Sequence, residues 1–238
     1  MNNTTTLIPV ANLAVGLIPA CAVLIVLFLW KHEYPKALYA FGRMVLQLML
    51  IGYFLNHLFG VDSAALAVTV LAIMLIAASW ISIRSSKQDF RRSYPIAFTS
   101  IAIGGGTTLI VVTQGVLVLD PWYQASVMIP VAGMIFSSAM NSVSLTVERF
   151  NAELTQGKEY YQARAIALQA ALIPITNSLL AVGLVSLPGM MTGQILSGIE
   201  PLIAVRYQIM VMCMAYGSAG ISTICYLALA GRSPITLR

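Results

Sequence analysis

One short stretch holds most of the groups that could do chemistry. From Gly183 to Gln194 the chain reads Gly-Leu-Val-Ser-Leu-Pro-Gly-Met-Met-Thr-Gly-Gln. Met190 and Met191 offer thioethers, Thr192 a hydroxyl and Gln194 an amide, and none of these donors is charged. Pro188 removes a backbone donor and Gly189 weakens a helix, yet both sit inside an apolar run otherwise long enough to cross a bilayer. In hydrocarbon a broken helix is tolerated only where protein buries it or where it borders a water-filled cavity. The break is therefore either a packing kink or part of a path for a solute. Asn141 and Asn177 are further polar groups inside apolar runs, and each needs a partner or a cavity.

Other candidates read more plainly. The sequence holds no H-E-x-x-H, no G-x-S-x-G and no Cys/His cluster, so no hydrolytic centre is expected. Gly104-Gly105-Gly106-Thr107-Thr108 lacks the lysine of a phosphate loop, and its glycines suit close helix approach. Met210 and Met214 share a helix face and Met212 does not, so adaptable packing is preferred over a soft-metal site. Cys21, Cys213 and Cys225 lie in apolar runs without a CxxC pair and read as small packing residues. His32 and His57 read as interfacial. Asp62, Asp120 and Glu200 are weak candidates to hold or release a cation.

These groups need elements to place them, and composition says which. Apolar residues make up 59% of the chain and charged ones 9%, against roughly a quarter charged in globular domains. The runs exceed the roughly 20 residues that a spanning helix needs. The expected fold is an all-α polytopic membrane bundle of about seven spans in one domain, not a β-barrel of short alternating strands. The spans are expected near residues 9–30, 44–60, 64–83, 95–119, 124–147, 165–198 and 207–230, with cytoplasmic segments at 31–43, 84–94 and 148–164. With the N-terminus outside and the C-terminus cytoplasmic, every Lys and Arg except Arg206 falls on the cytoplasmic side, as short loops require. The basic balance is thus a topology signal, and no nucleic-acid partner is expected. No ionisable residue lies deep in an expected span, which weighs against proton coupling. Sodium coupling at a broken helix stays open. The chain has no ATP site of its own, so a driven transporter of this type needs a separate energising subunit.

The stretch from Gly183 to Leu196, followed by Ala204-Val-Arg-Tyr-Gln-Ile209, resembles the signature of the FetB family of ABC-transporter permeases associated with iron export, to which plant aluminium-tolerance permeases are similar. Arg43 with Gln47-Leu48 and Gly52-Tyr53, Ile129 to Ile135, Ala139-Met-Asn141 and Ala170 to Pro174 extend the resemblance over nearly the whole chain. Two departures stand out. Ser137-Ser138 replace the family's usual Gly-Asn, and the segment from Glu153 to Ala165 is shorter, with only Gln156-Gly157 hinting at the Leu-Gly-Ala element of a coupling helix.

The resemblance implies a permease of the cell membrane, of the bacterial inner-membrane type. It pairs with a second permease copy and a cytoplasmic ABC ATPase, and exports iron or another metal-related substrate. It is not itself an enzyme. No cofactor belongs to this chain, and ATP and magnesium sit on the partner. Asn141, Asn177, Pro188, Gly189, Met190, Met191, Thr192, Gly193 and Gln194 are then expected to line or gate the path. Glu148, Arg149, Glu153, Gly157, Glu159 and Arg164 are expected to dock the ATPase. Neutral donors match hard ferric iron poorly. An ion-coupled secondary carrier and a non-transporting membrane scaffold are the alternatives.

Overall fold

The computed structural model describes residues 9–30, 34–58, 63–84 and 90–231, with the backbone alone at positions 10, 11 and 53–58. Its elements are helices, and the chain divides into two units, Met1–Val61 and Asp62–Arg238. Lys31, His32, Asp62 and Lys87 lie outside the described residues, as does the side chain of His57.

In the first unit the expected span 9–30 appears as two helical pieces, α1 (Val10–Gly16) and α2 (Ile18–Leu29), meeting at Leu17. Pro19 stands in the first turn of α2, where its missing N–H interrupts the ladder at least cost. The third helix, α3 (Tyr34–Leu58), takes in residues 34–43 as well as the apolar run that follows. Tyr34 meets Phe28 edge-to-face at 5.1 Å, tying α3 to α2.

The second unit holds α4 (Ala64–Ile83), α5 (Phe90–Ile110), α6 (Ala125–Thr155), α7 (Tyr160–Ala181), α8 (Gly189–Leu196) and α9 (Pro201–Ala230). A π-helical stretch, Val111–Val116, continues α5. Among the described residues five segments are long and apolar enough to cross a membrane: α4, α5 with its continuation, α6, α7 and α9. The 31 residues of α6 span about 46 Å. That exceeds a hydrocarbon core of about 30 Å, so one end must project beyond it.

Small residues set the packing. Lipid tails supply no hydrophobic drive between helices, so close backbone contact must. A Cβ on Gly104 would collide with the side chain and backbone nitrogen of Ser222, and one on Gly105 with the Phe136 ring. These two glycines bring α5 against α9 and α6. Gly106 faces open space. Thr146 of α6 and Thr223 of α9 share a hydrogen bond of 3.2 Å between buried hydroxyls. Buried alanines, among them Ala97, Ala132, Ala139, Ala163 and Ala219, fill the remaining crossings. As a result α9 packs against α5, α6, α7 and α8.

One end of this unit gathers the cations. Ser93 at the start of α5 is hydrogen-bonded to Tyr226 near the end of α9. The Tyr160 hydroxyl, at the start of α7, donates to the Leu227 carbonyl at 2.7 Å. Phe150 of α6 meets the Tyr160 ring edge-to-face at 5.8 Å. The sequence positions of Arg91, Arg92, Arg149, Lys158 and Arg164 therefore belong to one end of the bundle, whereas Asp120 and Glu200 follow or precede the opposite helix ends.

Candidate functional site

The signature stretch forms the link between α7 and α9, and its break is not where proline alone suggests. Helix α7 stops at Ala181, well before Pro188. Gly183 takes φ +85, a left-handed backbone that suits glycine. The Ala181 carbonyl then accepts N–H groups from Leu184, Val185 and Ser186 at 3.2, 2.8 and 3.2 Å, and Gly183 N–H donates to the Ser186 carbonyl at 3.0 Å. This compact turn satisfies backbone groups that a helix end leaves open. Pro188 occupies the cap position of α8 with φ −61 and ψ 147. It starts a helix rather than bending one. The Thr192 hydroxyl donates back to the Pro188 carbonyl at 3.1 Å. Leu184 and Val185 at the tip of the turn are 90% and 86% exposed.

Two clefts flank the turn. The first, about 450 Å³, is lined by Asn177, Ser178, Ser186, Pro188 and Met212, among others. The second, about 380 Å³, is lined by Val182, Gly183, Met191, Gln208, Met212 and Cys213, among others. Val182 and Met212 border both. On α9 the wall of the second cleft is one helix face, residues 205, 208, 209, 212 and 213.

The structure brings three of the expected path residues to these clefts: Asn177, Pro188 and Met191. Met190, Thr192 and Gln194 belong to α8 but line neither cleft. The Gln194 Oε1 is buried with no hydrogen-bond partner among the described residues. A Cβ on Gly189 or Gly193 would meet open space, so neither glycine is needed for close packing within this unit. Asn141 does not point into the bundle as expected. Helix α6 buries Ala139, Ser142 and Val143 and leaves Ser137 and Asn141 exposed. Both faces of α6 carry small polar residues, and the inward one is the face that meets α9 through Thr146.

Sequence reasoning missed Gln208, which is only 5% exposed and whose Oε1 has no hydrogen-bond partner among the described residues. Its signal was present: an amide within an apolar run, four residues before Met212 on the same face. Met212 and Cys213, expected as packing residues, also line the second cleft, while Met214 is buried in the core and Met210 packs against it. Of the weak metal candidates, Asp120 and Glu200 are exposed and Asp62 lies outside the described residues. No three His, Cys, Asp or Glu side chains converge among the described residues.

At the basic end, Glu153, expected to dock the ATPase, is a buried residue. Its carboxylate is buried and ion-paired with both Arg149 and Lys158. It sits at the end of α6, where Gly157 takes φ +83. Gly157 N–H donates to the Leu154 carbonyl at 3.0 Å and Lys158 N–H to the Glu153 carbonyl at 3.2 Å. That pair of bonds is a Schellman end. Glu148, Arg149, Glu159 and Arg164 remain exposed, and the Arg164 guanidinium lies over the Tyr161 ring at 5.4 Å.

Comparison with known proteins agrees with this architecture. The chain is 35% identical over 231 residues to "Probable iron export permease protein FetB" of Escherichia coli (strain K12), covering 87% of each chain. It is 35% identical over 210 residues to "UPF0014 membrane protein slr1647" of Synechocystis, covering 81% of this chain and 80% of that one. It is 29% identical over 228 residues to "Protein ALUMINUM SENSITIVE 3" of Arabidopsis thaliana, covering 87% and 82%. No solved structure matches it. Residues 10–234 match the family described as "Uncharacterised protein family (UPF0014)". The chain is a multi-pass α-helical membrane protein and belongs to the UPF0014 family.

Proposed function

We propose that this chain is the membrane-spanning permease subunit of an ATP-driven exporter of a metal or metal-related solute. The observation that carries the reading is the pair of clefts at the α7–α8 break, in a chain 35% identical to a protein named for iron export. A solute crossing a bundle needs a gap in lipid-tight packing and backbone freed from a continuous ladder. The turn at residues 182–188 offers both. Asn177, Ser178 and Ser186 supply polar contacts on one side of it, and Met191, Met212 and Cys213 supply sulfur on the other.

Energy comes from a separate cytoplasmic ATPase that meets the basic end, with ATP and magnesium bound on that partner. The exposed Glu148, Arg149, Glu159 and Arg164 offer the charged surface. Beneath it the buried Glu153 pairs with Arg149 and Lys158 and braces the elbow between α6 and α7, so that a push on the elbow reaches the turn through α7. Two permease copies with two ATPase subunits complete the assembly.

The test is a pull-down of the tagged chain from its native membrane in mild detergent, with mass spectrometry of the companions. A co-purifying subunit bearing G-x-x-x-x-G-K-[ST] is expected, and the reconstituted pair should move metal only when ATP is supplied. Flux driven by a sodium or proton gradient without any such subunit would replace this reading with a secondary carrier.

A further inference from the structure

The second cleft is unusual in what lines it. Met191 and Met212 bring thioethers and Cys213 a thiol, Gln208 is part of the wall, and the other side chains that line it are hydrocarbon. Among the described residues no carboxylate or imidazole lines it. Gln208 adds an unsatisfied polar group to the wall. Its side chain is buried within α9, it lines the cleft, and its Oε1 has no hydrogen-bond partner among the described residues. A buried amide left without a partner is costly, and such groups in native proteins ask for an explanation.

Charge and softness together select the occupant. A divalent or trivalent cation would keep at least one uncompensated positive charge in a poorly hydrated space even after the Cys213 thiol gave up its proton, at a large cost. Hard cations also prefer carboxylate and water oxygen, whereas thiolate and thioether select soft ions such as Cu(I). A monovalent soft cation avoids both penalties. When it binds, the Cys213 S–H bond breaks, a metal–sulfur bond forms and one proton passes to solvent. One positive charge enters as one leaves, so the cleft gains no net charge. No electrons are transferred.

We propose that the cleft between α8 and α9 is a binding station for a soft monovalent d10 cation of the cuprous or silver type, held by the Cys213 thiolate and the thioethers of Met191 and Met212, with Gln208 beside them in the wall. The proposal rests on the permease reading and names its substrate class. Val182 and Gly183 of the turn line the same cleft, so a change in that turn reshapes the wall beside the ligands.

Silver(I) is the probe, since it needs no reductant. One equivalent is added to the purified full-length chain in detergent, free of any histidine tag, and the cysteines are then alkylated and mapped by mass spectrometry. Silver should protect Cys213 before Cys21 and Cys225, with about one proton released per ion bound. Met191→Leu/Met212→Leu should weaken binding by at least about 10-fold, because even outer-shell partners of metal sites cost about 10- to 100-fold. Met210→Leu and Cys225→Ser should leave it unchanged. Silver spread evenly over the three thiols of the unaltered chain overturns the proposal whether or not the variants fold. So does tight binding that survives loss of both methionines. Neither outcome touches the ATPase. If silver binds as described but no metal crosses with ATP and the partner subunit, the permease reading fails and the site stands.

Discussion

Gly104 shows how much a single missing side chain can decide. It lets the α9 backbone approach α5 at Ser222, while its neighbour Gly106 faces open space. Gly104→Ala should therefore overpack the crossing and cost about 1–3 kcal/mol. Gly106→Ala should leave stability unchanged or raise it slightly, since alanine is the better helix former. Thermal unfolding of the two variants in the same detergent checks this, and equal melting temperatures would sink it. The sequence announced that some glycine in Gly104-Gly105-Gly106 serves close packing, but not which one. That depends on the rotation of α5 against a helix more than a hundred residues later in the chain. The direction of Asn141 was hidden for the same reason. Helix α6 carries small polar residues on both faces, and only the positions of its neighbours say which is inward.

The elbow between α6 and α7 behaves as one element built from two kinds of contact. Gly157 permits the backbone reversal, and Glu153 pins its two ends by pairing with Arg149 and Lys158. A Cβ on Gly157 would meet nothing within 4 Å, so replacing it tests the backbone alone. Gly157→Val should cost about 1–2 kcal/mol, the penalty of a left-handed backbone for an ordinary L-residue. Gly157→Asn should cost less, because asparagine visits that region more readily. Chemical or thermal unfolding reads the difference, and an equal loss for both variants would show that the turn tolerates neither. The link between α7 and α9 was only half legible. Pro188-Gly189 pointed to an interruption in the expected span 165–198, but α7 already ends at Ala181. Proline and a left-handed glycine both read as breaks in a sequence, and which of them ends the helix depends on the hydrogen bonds that the Ala181 carbonyl accepts.

The separation of charge between the two ends of the second unit makes orientation testable for the whole molecule. Apolar length made the long helices α4, α5, α6, α7 and α9 legible, and the spacing of Lys and Arg made the basic end of this unit legible. The clefts were not, because their walls are drawn from α7, α8 and α9 together. With the basic end cytoplasmic, a cysteine at Glu200 should react with a membrane-impermeant thiol reagent in intact cells. A cysteine at Thr155 should react only after permeabilisation. Both are placed in a background lacking Cys21, Cys213 and Cys225, and the opposite pattern would invert the topology.

The bond from Tyr160 to the Leu227 carbonyl joins residues 67 apart in the chain, and this sets an order of events during synthesis. Helix α9 leaves the ribosome after α4 to α8, yet it is the helix against which α5, α6, α7 and α8 pack. Until it inserts, the groove of Gly104 and the hydroxyl of Tyr160 wait for their partners on α9. Birth of the bundle is thus decided late, and a nascent chain stalled before residue 201 should be a substrate for membrane quality-control proteases. Pulse-chase of a chain ending at Glu200 should show rapid loss where the full chain persists, and equal lifetimes would mean that the earlier helices close without it.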